Sequence, residues 1–311
     1  MKIFYILLLT LLFLMPSACK KDKQEHTKSS GKESEIYYNT LDRATKAFEQ
    51  ENYKETEKLI KRAINLEPGM PMAYYMYGML YVHSNDFLKA GQNFEMALKR
   101  STLSEKKRLI DEIDSMTGFI ADDDDVNLLE KATNLLDKGN YKQSLLIVEK
   151  LLTKYPYNPD VLYLCGTNGI KKGNKDASLH LEKAIKVHPA HQLSFKSLMD
   201  YYKETRSNKK LTQLYETYID YFGESADICT EYAIHVYNCE DTEKALILLD
   251  QNIDKFPDYH INHFFAGKIH YSLNKNDLGL KHLSAFIEKS KGTDTDAKLV
   301  KEAEQMLIKL K

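Results

Sequence analysis

Residues 71–102 read PMAYYMYGMLYVHSNDFLKAGQNFEMALKRST. Large side chains at Tyr74, Tyr77 and Tyr81 flank a small one at Gly78, and Phe87, Ala90, Phe94 and Ala97 follow. The pattern predicts two antiparallel helices. Small residues let the two backbones approach, and the large ones fill the space left on either side.

Outward from this stretch the pattern recurs. Tyr53 and Phe87 are 34 residues apart, as are Ala44 and Gly78, Ala63 and Ala97, Ala132 and Gly166, and Ala233 and Gly267. Pro156, Pro189, Gly223 and Pro257 are separated by 33, 34 and 34 residues and mark the ends of second helices, which proline cannot continue. A helical period of 34 resembles the tetratricopeptide repeat. The resemblance covers nearly all of residues 37–290. It implies an all-α, right-handed superhelical solenoid of antiparallel helix pairs, with stacked neighbours sharing one core.

About seven units are expected, at 37–70, 71–102, 125–158, 159–191, 192–225, 226–259 and 260–290. The fifth is registered by Pro189 and Gly223, and puts Phe195, Leu198, Met199, Tyr202, Leu211, Tyr215 and Tyr218 at packing positions. Residues 103–124 are extra. Leu109, Ile113 and Met116 make Ser104–Phe119 an amphipathic helix inserted between units two and three, before an acidic linker. Asp122–Asp125 suit a helix N-terminus better than calcium, because the spaced ligands and turning glycine of an EF-hand are missing. Residues 291–311 are expected to hold a C-terminal capping helix, with Leu299, Ala303, Met306, Leu307 and Leu310 on one face.

Composition agrees. Gly and Pro number 13 and 7 in 311 residues, too few for a many-stranded sandwich or barrel. Lys+Arg is 44 against 45 for Asp+Glu, a net charge of −1 that offers nucleic acid no general attraction. Four cysteines exclude a disulfide-dense scaffold. Cys229 and Cys239 fall about 15 Å apart on one helix, so free, largely buried thiols are expected there and at Cys165.

The first residues carry an address. Lys2 precedes the apolar run 3–15, too short to span a bilayer and suited to a signal peptide ending at Ala18. Pro16, Ser17, Ala18 and Cys19 resemble a bacterial lipobox, although Pro16 stands where an aliphatic residue is usual. The resemblance implies a lipid-carrying Cys19 and attachment to the cell envelope, with the outer membrane expected and its face undetermined. An ordinary secretory signal cleaved near Ala18 is the other reading. Residues 20–35 contain no apolar side chain and read as a tether. The matured chain would begin at Cys19.

Motifs for chemistry are few. There is no HExxH, Walker loop, GxGxxG or GxSxG, so no enzyme, metal or cofactor is expected. His260, His263 and His270 lie on one helix and read as packing or groove residues. In the tetratricopeptide family, first helices line a concave groove that takes a protein or peptide. The resemblance places Met72, Tyr75 and Met79 there, with Met76 beside them, and Tyr163, Lys196, Lys203, Tyr237, Phe264, Lys268 and Tyr271 further along. Adaptable Met with rigid Tyr suits an apolar peptide or partner helix, although packing against residues 103–117 is an equal reading. Asp200 follows Lys196 by four residues and would repel the carboxylate that the family's terminal clamp holds. The expected function is a non-enzymatic, lipid-anchored scaffold binding another envelope protein or peptide. The alternative is a surface lipoprotein capturing glycan or peptide, against which the lack of Trp counts.

Overall fold

The computed structural model describes residues 31–293 and 297–310, all helix and connecting turns. The apolar run 3–15 and Cys19 lie outside the described residues. The chain divides into two compact units, one ending at Gly69 and one starting at Met70.

The first unit is a helix pair, α1 (Gly31–Glu49) and α2 (Tyr53–Leu66). Tyr37, Ala44, Leu59, Ile60 and Ala63 fill it. Helix α1 begins inside the polar segment read as a tether. Lys and Glu are good helix formers, and acids in a first turn are stabilised by the helix dipole.

The second unit contains α3 (Pro71–His83), α4 (Phe87–Leu98), α5 (Leu103–Thr117), α6 (Asp123–Asp137), α7 (Tyr141–Lys154) and α8 (Pro159–Lys171). It continues with α9 (Ser178–Val187), α10 (Gln192–Glu204), α11 (Asn208–Phe222), α12 (Ala226–Asn238), α13 (Thr242–Lys255), α14 (Ile261–Ser272), α15 (Asn276–Ser290) and α16 (Ala297–Leu310).

Three pairs close by the same glycine contact. A Cβ at Gly78 would lie 2.3 Å from the Phe94 ring, and one at Gly166 or Gly267 would lie 2.6 or 2.7 Å from Leu181 or Leu283. Phe94, Leu181 and Leu283 are fully buried in the gaps so left. The turn between paired helices repeats as well. Glu51, Asn85, Arg206, Glu240 and Asn274 have φ of 54–68°, and Gly139 and Gly173 of 75° and 82°. One left-handed residue thus reverses the chain in every pair. A polar N-cap commonly follows: Asn52, Asp86 and Asp241 each accept a backbone N–H from three residues on. Asp122 caps α6 by accepting from Asp124 N and Asp125 N, and Asp125 accepts a hydrogen bond from the Tyr155 hydroxyl at 2.7 Å.

Helices α6 to α16 stack in chain order. Helices α3 to α5 do not join that stack where a linear reading puts them, ahead of α6. Instead α4 packs on α9 and α5 on α11, side by side with the fourth and fifth pairs. Gly91 permits this. A Cβ there would lie 1.8 Å from the Lys186 carbonyl oxygen, so the backbones of α4 and α9 touch. Phe87 stacks on Tyr157, ring centroids 5.7 Å apart. The buried Lys106 ammonium donates to the Asp220 carboxylate at 2.6 Å and to its carbonyl at 2.8 Å. Asn158 donates to the Gly118 carbonyl at 3.0 Å. The apolar face of α5 (Leu109, Ile113, Met116) is buried, as its spacing requires.

Gly91→Ala is expected to destabilise the protein by about 1–3 kcal/mol or more, because backbone rather than a movable side chain blocks the added methyl group. Urea unfolding followed by circular dichroism measures this, and an unchanged midpoint would contradict the close contact with α9.

Candidate functional site

The Met/Tyr surface of the second pair is not an open groove. Tyr75 is 7% exposed. Its ring lies 6.0 Å from that of Phe94. Burial and the Glu112 carboxylate of α5 raise its phenol well above the ordinary value. Met72, Met76 and Met79 are half-buried. Helix α5 therefore packs at the position assigned to a ligand.

The first helices of the later pairs carry a ladder of polar contacts from one pair to the next. Thr167 and Ser197 hydroxyls are 3.3 Å apart. Thr230 donates to Asn262 Oδ1 at 2.6 Å, and Tyr237 and Ser272 hydroxyls are 3.3 Å apart. Lys203 pairs with Glu231 at 2.7 Å, and Lys268 with Glu302 at 2.6 Å. Both lysines, placed in the groove by the sequence, pair with an acid of the neighbouring helix. Phe264, 1% exposed, is core rather than groove, packed on Phe286 and the capping helix. Tyr271 packs at the edge of the same cluster. Tyr163 is half-buried with its ring edge-on to His191, and Lys196 is exposed.

A cleft remains between the fifth and sixth pairs, with a volume of about 640 Å³. Leu211, Tyr215 and Ile234 form its apolar part, and Lys203, Arg206, Asn208, Glu231, His235 and Asn238 its polar part. Glu231 is committed: it takes the Lys203 ammonium, which also lies over the Tyr215 ring, and accepts from the Tyr215 hydroxyl at 3.1 Å. Burial raises the Tyr215 phenol. Burial opposes the charge on Lys203, but the bond to Glu231 outweighs it and holds the ammonium above its ordinary value. His235, kept below its usual range by burial, meets the Thr212 hydroxyl at 2.9 Å. Arg206, Asn208 and Asn238 are exposed at the mouth. Sequence reasoning named Lys203 here but missed Arg206 in the turn, Asn208 at the start of α11 and Asn238 at the end of α12. The 34-residue spacing of Arg206, Glu240 and Asn274 was the available signal.

Among the described residues no group of three His, Cys, Asp or Glu side chains could hold a metal ion, and no helix is long and apolar enough to cross a membrane. Cys165 and Cys229 are free and buried, whereas Cys239, free as well, is exposed. The histidines on α14 pack rather than bind: His263 Nδ1 lies 3.2 Å from His282 Nδ1 of α15, and the His270 and His282 rings stack at 5.6 Å.

Helix pairs of this geometry, small-on-large contacts and a period of 34 define the tetratricopeptide fold, and this chain has it. No family model and no curated protein matches the chain. Solved structures do. A MamA double mutant of strain RS-1 is 16% identical, with a TM-score of 0.50 over 57% of this chain and 100% of its own. MamA from Desulfovibrio magneticus RS-1, residue 41 to its end, is 15% identical, with the same score and the same coverage. YrrB, described as a TPR protein with an unusual peptide-binding site, is 16% identical, with a TM-score of 0.47 over 57% of this chain and 90% of its own. At such identities the likeness concerns the fold alone.

Burial holds the His282 imidazole at about 4, with His263 and His270 also lowered. The unfolded chain takes up protons near the ordinary value of about 6.5. Stability from this cluster is therefore whole above that pH and is lost as pH falls from there toward 4. Thermal unfolding is expected to show a falling midpoint over this range, flattened by His282→Leu. A wild-type midpoint constant from pH 7 to pH 4.5 would contradict the buried neutral cluster.

Proposed function

We propose that this protein is a non-enzymatic scaffold that binds a segment of another envelope protein, and that a lipid on Cys19 tethers it to the membrane. The observation that carries the binding part is the cleft at Lys203–Asn238. There an apolar floor from α11 and α12 lies beside the Arg206 guanidinium and two amides, with room for a ligand. A peptide would set an apolar side chain against Ile234, which the buried Leu211 and Tyr215 back, and bring backbone or acidic groups to Arg206, Asn208 and Asn238. The polar ladder and the lysine–glutamate pairs support the same reading from the other side. They fix neighbouring pairs rigidly, so that a ligand meets a preformed surface and little ordering cost is added on binding.

The anchor rests on sequence: the apolar run 3–15, the small residues before Cys19 and the polar segment after it. A single acyl group gives only marginal membrane attachment, whereas two or more chains hold stably, as a lipid-modified N-terminal cysteine would.

Two measurements separate the parts. Cys19→Ser is expected to lose metabolic labelling by palmitate and to leave the membrane fraction; retention after a carbonate wash would refute the anchor. Arg206→Ala combined with Asn238→Ala is expected to leave helicity and the thermal midpoint nearly unchanged. It should abolish co-purification of the partner from detergent-solubilised envelopes, since losing an anchor residue costs on the order of 2 kcal/mol in affinity. Full partner recovery with the double variant would remove the cleft from the binding site.

A further inference from the structure

A second cleft, of about 560 Å³, lies between the second helices α11 and α13. It shares no side chain with the cleft at Lys203–Asn238. One wall is α11, with Glu216 and Asp220, and Glu224 just beyond its end. The other is α13, with Asn252 and Lys255, and the buried Tyr232 of α12 backs the space between them.

Two groups in this cleft are left uncommitted by the fold. Asn252 is 6% exposed, and its Nδ2 meets no acceptor among the described residues. Buried polar groups are as a rule paired, so an orphaned amide in a cleft wall points to an acceptor that a ligand brings. Glu216 is the other group. Asp220 takes the Lys106 ammonium, and Glu224 takes that of Lys255. Glu216, which is exposed, accepts only from the neutral Tyr232 hydroxyl, at 2.8 Å. Lys244 donates to that same hydroxyl at 3.3 Å rather than to the carboxylate.

These groups restrict what the cleft can hold. The acceptor that meets Asn252 stands among three carboxylates, which would repel a phosphate or another carboxylate. A carbonyl oxygen is free of that penalty. The charge on Glu216 calls for a cation. Ile219 and Leu248, half-buried in the two walls, suit the aliphatic stem that carries one. A carbonyl beside a cation on an apolar stem is the chemistry of a Lys or Arg residue within a peptide.

We propose that the α11–α13 cleft is a second binding site, which takes a peptide segment carrying Lys or Arg. A main-chain carbonyl of the segment meets Asn252 Nδ2, and the basic side chain runs past Ile219 and Leu248 to Glu216. The site does not rest on the reading of the first cleft.

Fluorescence anisotropy of the full-length chain in detergent tests this, with short capped fluorescein-labelled peptides of alternating Ala and Lys, Ala and Gln, or Ala and Glu. Saturable binding of the Ala–Lys peptide alone is expected. Glu216→Gln, which keeps an acceptor for Tyr232, should weaken it about fivefold. Asn252→Leu should weaken it by about the same factor while leaving the thermal midpoint unchanged or raised, because it removes an unpaired buried amide at similar shape. Arg206→Ala with Asn238→Ala should bind the Ala–Lys peptide as the wild type does, whatever becomes of the first cleft's own partner. Equal affinity for the three peptides, or no saturable binding, overturns the proposal. So does an Ala–Lys affinity unchanged in both Glu216→Gln and Asn252→Leu, or one lost in the Arg206 and Asn238 double variant. A lowered midpoint in Asn252→Leu would show that the fold itself uses the amide, and overturns it as well.

Discussion

A helix pair in this protein exists because one helix carries a residue too small to keep its partner away. Gly78, Gly166 and Gly267 leave gaps that Phe94, Leu181 and Leu283 fill completely. No single pair can cover the apolar faces it then exposes, so each pair needs a neighbour. The polar ladder of Thr, Asn, Ser and Tyr side chains sets the spacing between neighbours, and paired charges close the edges. The shape of any ligand site follows from those contacts rather than from a dedicated loop.

The same close approach, used sideways, sets this chain apart from a simple stack. Gly91 lies beside Ala90, and the second small residue flattens the outer side of α4 so that the end of α9 reaches its backbone. Helix α5 then spends its apolar face on this junction. Its Glu112 stands against the Tyr75 hydroxyl, and its Asp114 against His188. Tyr75 of the surface richest in Met and Tyr thereby becomes interior and its methionines half-buried, and a cleft lies between the fifth and sixth pairs. Lys203 and Lys268 show a related effect: a cation at a groove position is available to a ligand only if the next helix lacks an acid opposite it.

Helix pairs, their 34-residue period and the glycines that close three of them are readable in the sequence. These contacts join positions about sixteen residues apart, and a repeating pattern records them directly. Phe195, Leu198, Tyr202 and Tyr215 of the least regular pair are buried where that register put them. Asp122 caps its helix as an acid before a helical run should. Tertiary structure alone decided which pairs become neighbours and which face stays open. Gly91 against Lys186, Tyr75 against Glu112 and His188 against Asp114 join residues from different parts of the repeat series, and no periodicity specifies them. A side chain at a groove position looks the same in sequence whether water, a ligand or another helix covers it, because its cost or gain depends on the surface brought opposite by the rest of the chain.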